Sequence, residues 1–97
     1  MSKVPEVFRR QAAVLKALAH PTRLFVADLL SEGPLCVCEI RDKVGADLST
    51  VSKHLSIMTN AGVLAREKKG LQVHYRLKTP CVTKFFACTL NVIKASR

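Results

Sequence analysis

Residues 36–60 read CVCEIRDKVGADLSTVSKHLSIMTN, and the reading of this stretch decides the fold. A helix is expected over 36–44. Gly45-Ala46 then makes a tight turn, because glycine accepts the backbone angles that a sharp reversal needs. Asp47 suits the N-cap of the next helix, accepting a hydrogen bond from the backbone N–H of Ser49 or Thr50. That helix is predicted over 48–60, with Val51, Leu55 and Met58 as its inner stripe and Ser49, Thr50, Lys53 and His54 pointing elsewhere. Gly62 suits a left-handed stop after it. Two short helices joined by a tight turn form a helix-turn-helix.

Upstream, EVFRRQAAVLKAL (6–18) sets Val7, Val14 and Leu18 on one face, the pattern of an amphipathic helix. His20-Pro21 interrupts it, and Pro21 fits the first turn of a second helix over 22–31, apolar nearly all round and so expected to be central and buried. Gly33-Pro34 ends that helix. Downstream, VLARE and LQVHYRL read as a hairpin around Lys68-Lys69-Gly70, with Val73, Tyr75 and Leu77 alternating with Gln72, His74 and Arg76. A last helix is expected over 81–94, with Val82, Phe85, Phe86, Leu90 and Ile93 in a wide apolar arc. The predicted fold is mainly α with a β-hairpin wing: a winged helix-turn-helix of order α-α-α-α-β-β-α, one domain over 1–97.

A chain of 97 residues buries a modest share of its surface alone, yet 48% of these residues are hydrophobic. The excess suggests a face meant for a second copy. That dimer face is assigned to the terminal helices, about 6–18 and 81–94, through Val7, Val14, Phe85, Phe86, Leu90 and Ile93. A multi-step enzyme with its own cleft fits poorly into this length, and its Cys, His and Asp do not surround one; no enzyme is expected. Residues 1–14 carry Pro5, Glu6, Arg9 and Arg10 where a secretory signal needs an apolar run, and no run of 18 apolar residues follows. The chain is therefore expected in the cytoplasm, away from membranes, with its four cysteines reduced.

Lys and Arg number 16 against 7 Asp and Glu, a formal charge of +9 that draws polyanions. Slim polar residues and donors on the second helix of a helix-turn-helix suit a DNA major groove. The candidates are Ser49, Thr50 and Lys53, with Ser52 and His54 flanking. The basic hairpin, with Lys68, Lys69 and Arg76, can reach backbone phosphates or the minor groove beside them. Double-stranded DNA is the expected partner, bound without any cofactor. His20 can cap the second helix or face water, and His74 can be mere surface.

Cys36 and Cys38 fall at the start of the third helix, where free N–H groups and the helix dipole favour thiolate. Glu39 and Asp42 oppose that effect; Arg41 and Lys43 offset them. Thiols there are also common as plain core. Positions i and i+2 are not helical neighbours, so Cys36 must contribute from just outside the helix, or an ion must open its first turn. Adjacent thiols suit thiophilic ions: As(III) or Sb(III) with three sulfurs, zinc or cadmium with four ligands. Cys81 and Cys88, seven apart on the last helix, are candidates for a third ligand, or packing beside Phe85.

Taken together, ALAHPTR (17–23), LCVCEI (35–40), TVSKHL (50–55), NAGVL (60–64) and KGLQVHYRL (69–77) resemble the ArsR/SmtB family of winged-helix repressors, in particular its arsenic-responsive members. The resemblance implies that the LCVCEI position binds arsenite or antimonite, that the TVSKHL helix lies in operator DNA and that the end helices form a dimer. It also implies that the inducer releases the DNA. In one arrangement of the family a third cysteine follows three residues after the second; here that place is Arg41, so the third sulfur must come from elsewhere or two must suffice. The family's Asp and His site on the last helix has no counterpart here. Thiol redox sensing, cadmium, lead or zinc as inducer, and a non-specific architectural role on DNA remain as rivals.

Overall fold

His20 and Pro21 make the first joint of the chain. The His20 Nδ1 accepts the backbone N–H of Thr22 at 3.1 Å, so this histidine caps the second helix. Pro21 sits in the first turn, where its missing N–H leaves no bond unmade. The structure, a computed structural model, describes residues 3–96. Its helices are α1 (Glu6–Leu18), α2 (Pro21–Leu30), α3 (Val37–Val44), α4 (Leu48–Asn60) and α5 (Thr83–Ala95). Its strands are β1 (Leu35–Cys36), β2 (Leu64–Lys69) and β3 (Gln72–Leu77), and a short 3₁₀ turn, Pro80–Val82, precedes α5.

This is the expected winged helix-turn-helix with one addition. β1, between α2 and α3, pairs antiparallel with β3 and sets Leu35 opposite Tyr75 and Cys36 opposite His74. The sheet therefore has three strands in the order β1-β3-β2. Cys36 is extended rather than helical, so α3 begins at Val37 and not at residue 36. The wing tip also differs from the expected Lys68-Lys69-Gly70. β2 continues through Lys69, which pairs with Gln72, and the two-residue loop is Gly70-Leu71. Gly70 has φ +64° and no described residue other than glycine has positive φ, the pattern of a hairpin turn that needs glycine first. Leu71 stands fully exposed at the tip.

The core is one cluster. Val26, Ala27 and Leu30 of α2, Ile40 of α3, and Val51, Leu55 and Met58 of α4 meet Leu64, Tyr75 and Leu77 of the sheet. Val51, Leu55 and Met58 are the stripe read from the sequence. α2 is less central than expected: Leu24 and Phe25 are exposed on its outer side. α5 buries none of its described residues fully. Phe86, assigned to the dimer face, packs partly buried against the core, so only part of its ring is left for that face. Val7, Val14, Phe85, Leu90 and Ile93 remain exposed. Val14 and Leu15 of α1 line one cleft with Phe85 of α5, so the terminal helices present a joint apolar surface. Among the described residues no helix is long and apolar enough to cross a membrane.

The joint between α3 and α4 rests on two residues. Gly45 closes α3 with φ +76°, and its N–H bonds the Arg41 carbonyl at 2.9 Å. Asp47 opens α4: its carboxylate accepts the Thr50 N–H at 3.2 Å, the Thr50 hydroxyl at 2.6 Å and the Ser49 hydroxyl. Those bonds, from Ser49 first and then from Thr50, hold the Asp47 pKa down from 3.8 to about 2.

Two outcomes follow from this joint. A methyl added at Gly45 meets no atom, so Gly45→Ala should cost only the left-handed backbone strain, about 1 kcal/mol in urea unfolding; a variant of unchanged stability would refute the strain. An acid with a lowered folded pKa stabilises above its ordinary pKa and loses that contribution as pH falls through the folded value. The melting-temperature gap between wild type and Asp47→Ala should hold at neutral pH, shrink between about pH 4 and pH 2, and close below. A gap unchanged at pH 2 would show that the carboxylate is not the cap.

Candidate nucleic-acid interface and thiol site

α4 buries Val51, Leu55 and Met58, and this fixes which side chains face outward. Ser49, Thr50 and Lys53 are exposed together on its N-terminal half. The Ser49 and Thr50 hydroxyl hydrogens go to Asp47, which leaves both oxygens as acceptors toward a ligand. Lys53 supplies the donor and the positive charge. Lys68, Lys69 and Arg76 are exposed on the wing, with Lys69 3.9 Å from the Glu67 carboxylate.

Ser52 and His54 depart from this outward face. Ser52 is half-buried and lines a polar groove with Ser56, Thr59, Asn60, Arg66 and Tyr75, between α4 and the sheet. Local sequence makes Arg66 no more than a flank of the wing. In the fold it lies opposite Tyr75 in the ladder and therefore shares the sheet face that turns toward α4. The alternation along β2 carries that signal.

His54 corrects the expectation that it flanks the groove-facing surface. Its Nδ1 accepts the Arg23 Nε–H at 3.1 Å, and its ring lies 4.5 Å from that of His20. Burial first, then the positive charges of His20, Arg23 and Lys53, push its pKa down. A neutral ring held by α2 is a brace. Arg23 also reaches the Lys16 and Ala17 carbonyls, each at 3.5 Å, so it ties the end of α1 and the start of α2 to the middle of α4.

The thiols divide into two places. Cys36 is buried and forms the N-cap of α3, just outside the helix, while Cys38 is exposed within the first turn. Cys36 and Glu39 make a reciprocal pair: the sulfur receives the Glu39 N–H, and the Glu39 carboxylate accepts the Cys36 N–H at 3.1 Å. The expected activation of Cys36 does not hold. The Glu39 N–H lowers its pKa, but the bond to the Glu39 carboxylate, burial and the carboxylate charge outweigh it, and the thiol is pushed up. Glu39 in turn is lowered, by the Cys36 N–H first, then by the Cys36 side chain, with His74 and Lys43 adding positive charge against burial.

Cys81 and Cys88 line a shallow apolar pocket with Lys84 and Phe85, and neither Cys36 nor Cys38 belongs to it. Among the described residues no three His, Cys, Asp or Glu side chains are already gathered to hold an ion. The donors at Cys36 and Cys38 fit a thiophilic ion by chemistry, as two sulfurs one residue apart, but the site must still be assembled. His74, read as surface, is half-buried, with a buried Nδ1 that has no partner among the described residues. Only the β1 pairing, invisible in the local pattern, brings it to Cys36.

Residues 20–66, which span α2 to the middle of β2, match the model of the family described as "Bacterial regulatory protein, arsR family". The arsenical resistance operon repressor of Escherichia coli is 42% identical over 65 residues, 66% of this chain and 56% of that protein. A cadmium resistance transcriptional regulatory protein CadC homolog of Staphylococcus aureus is 40% identical over 67 residues, 68% of this chain and 55% of that protein. The match thus spans little more than half the length of these relatives. The crystal structure of Rv0081 from Mycobacterium tuberculosis superposes with a TM-score of 0.81 at 28% identity, covering 96% of this chain and 94% of that one. The winged helix-turn-helix is thus shared architecture, and the chain belongs to the ArsR/SmtB family of winged-helix transcriptional regulators.

Proposed function

We propose that this chain is a homodimeric repressor that binds operator DNA in the cytoplasm and releases it when As(III) or Sb(III) is held by Cys36 and Cys38. The observation that carries this reading is the position of Cys36, which belongs at once to β1 and to the cap of α3. An ion that draws the two sulfurs together must disturb the Cys36–Glu39 pair. Through α3 that disturbance reaches the Gly45 joint and α4; through β1 it reaches β3 and the wing. An effector that prefers the DNA-free geometry weakens DNA binding by the same factor by which DNA weakens the effector. DNA binding itself requires no cofactor.

The two subunits, one domain each over 1–97, meet through the terminal helices. Support comes from the exposed Val7, Val14, Phe85, Leu90 and Ile93, too apolar a surface to leave in water on so small a domain. Each subunit then offers Ser49, Thr50 and Lys53 to a major groove and Lys68, Lys69 and Arg76 to the phosphates. A dimer doubles the charge of +9 and makes binding steeply salt-dependent. The names of the similar proteins, an arsenical resistance operon repressor and a cadmium resistance regulator, agree with a thiophilic inducer. Cys81 or Cys88 enters such a site only from elsewhere in the dimer or after a rearrangement, because their pocket holds neither Cys36 nor Cys38.

Gel shifts test the reading. Arsenite should release operator from wild type and leave the Cys36→Ser, Cys38→Ser double variant bound. Release by peroxide or polysulfide, reversed by a thiol reductant and blind to arsenite, would replace ion sensing by redox sensing. Lys53→Ala should weaken operator binding and make log K fall less steeply with log salt, by about 1 in slope for each phosphate that the lysine no longer neutralises. Unchanged affinity would move the reading face elsewhere on α4.

A further inference from the structure

His74 carries a buried Nδ1 that no described group bonds. Buried polar atoms are paired in the great majority of cases, because dehydrating one without a partner costs free energy. This nitrogen stands in a chemically specific place. His74 lies directly opposite Cys36 in the β1–β3 ladder. Opposite residues of an antiparallel pair project from one face, with Cβ atoms about 5 Å apart. The ring and the Cys36 sulfur therefore leave the sheet side by side. Glu39, bonded to the Cys36 N–H at 3.1 Å, is near enough to His74 for their charges to interact. Cys38 is exposed in the first turn of α3.

Two sulfurs alone leave a tetrahedral ion half-coordinated. We propose that His74 Nδ1 is the nitrogen ligand that completes a Cys36–Cys38–His74 site for a borderline divalent cation, Zn(II) or Cd(II). The fourth position goes to water or the Glu39 carboxylate. The proposal rests on the reading of Cys36 and Cys38 as the sulfur ligands, and what it adds is the nitrogen through which this chain would hold zinc or cadmium, the rivals of As(III) and Sb(III) as inducer. Imidazole with thiolate is a donor set that Zn(II) accepts readily, whereas As(III) asks for sulfur.

Because the three donors are not yet gathered, binding must open the first turn of α3 or swing the ring. Either movement fastens β3, a strand of the wing, to the start of α3. An ion so bound fixes the wing relative to α4, and this would couple the site to DNA through the wing as well as through the helix joint.

The test is Cd(II) added anaerobically to the reduced full chain, read by sulfur-to-cadmium charge-transfer absorption and by X-ray absorption that counts sulfur and nitrogen neighbours. Wild type should show two sulfurs and at least one imidazole nitrogen. His74→Ala should keep both sulfurs, lose the nitrogen and bind Cd(II) about tenfold or more weakly. Its metal-free operator affinity and melting temperature serve as the check that it folds. His74→Gln should fail to restore the nitrogen signature. A wild-type complex with sulfur neighbours only, and His74→Ala of unchanged affinity, overturns the proposal and leaves the thiol reading standing. Equal Cd(II) binding by the Cys36→Ser, Cys38→Ser double variant overturns both.

Discussion

One small reciprocal contact governs the rest of this molecule: Cys36 and Glu39 each satisfy the other's backbone N–H across the start of α3. The contact is a capping box in which sulfur stands where a hydroxyl normally does. It ends β1 and begins α3 at the same residue. The first turn of a helix has orphan N–H groups that must be bonded by something. Here that something is the group best suited to be taken away by a thiophilic ion. The Glu39 N–H draws the Cys36 pKa down, but the Glu39 carboxylate and burial together push it up, and a metal ion that takes the sulfur as thiolate must displace its proton.

From that contact two mechanical routes leave in opposite directions. One runs down α3, through the left-handed Gly45, to the Asp47 cap that starts α4. The other crosses the sheet, from Cys36 to His74 and on to Glu67 in β2. The surfaces with the residues suited to DNA lie at the far end of each. α4 itself is held stiff by its buried stripe and by Arg23, which grips His54 from α2. In the proposed mechanism, a braced α4 behind a cap that an ion can break lets a local event shift the helix without melting it. Couplings of this kind amount to about 1–3 kcal/mol, a range that breaking a capping contact and a short ladder can reach.

Much of this is legible in local chemistry. Gly45, Asp47, Gly62 and the period of Val51, Leu55 and Met58 specify a turn and a helix from residues a few positions apart, and the structure has both. The same holds for His20-Pro21. What local pattern does not carry depends on residues distant in sequence. A two-residue strand has no period, so β1 exists only because β3 lies beside it. His54 turns inward because of Arg23, 31 positions earlier. Phe86 packs against a core made by residues of α2, α3, α4 and the sheet, all distant from it in sequence. The wing tip lies beyond the lysine pair because Gly70 takes the first place of a two-residue loop, while the lysines suggest a tip by their polarity alone. The candidate site is half visible in the same way: its sulfurs are adjacent in sequence, while the groups that surround them arrive by folding.

Whether an ion at Cys36 and Cys38 breaks the Cys36–Glu39 pair decides the mechanism. Amide hydrogen exchange, followed residue by residue with and without arsenite, measures that directly. Arsenite should speed exchange at the Cys36 and Glu39 amides and along the β1–β3 pairing, with the buried turns of α4 from Val51 to Met58 still protected. Operator release accompanied by unchanged exchange at Cys36 and Glu39 would contradict it.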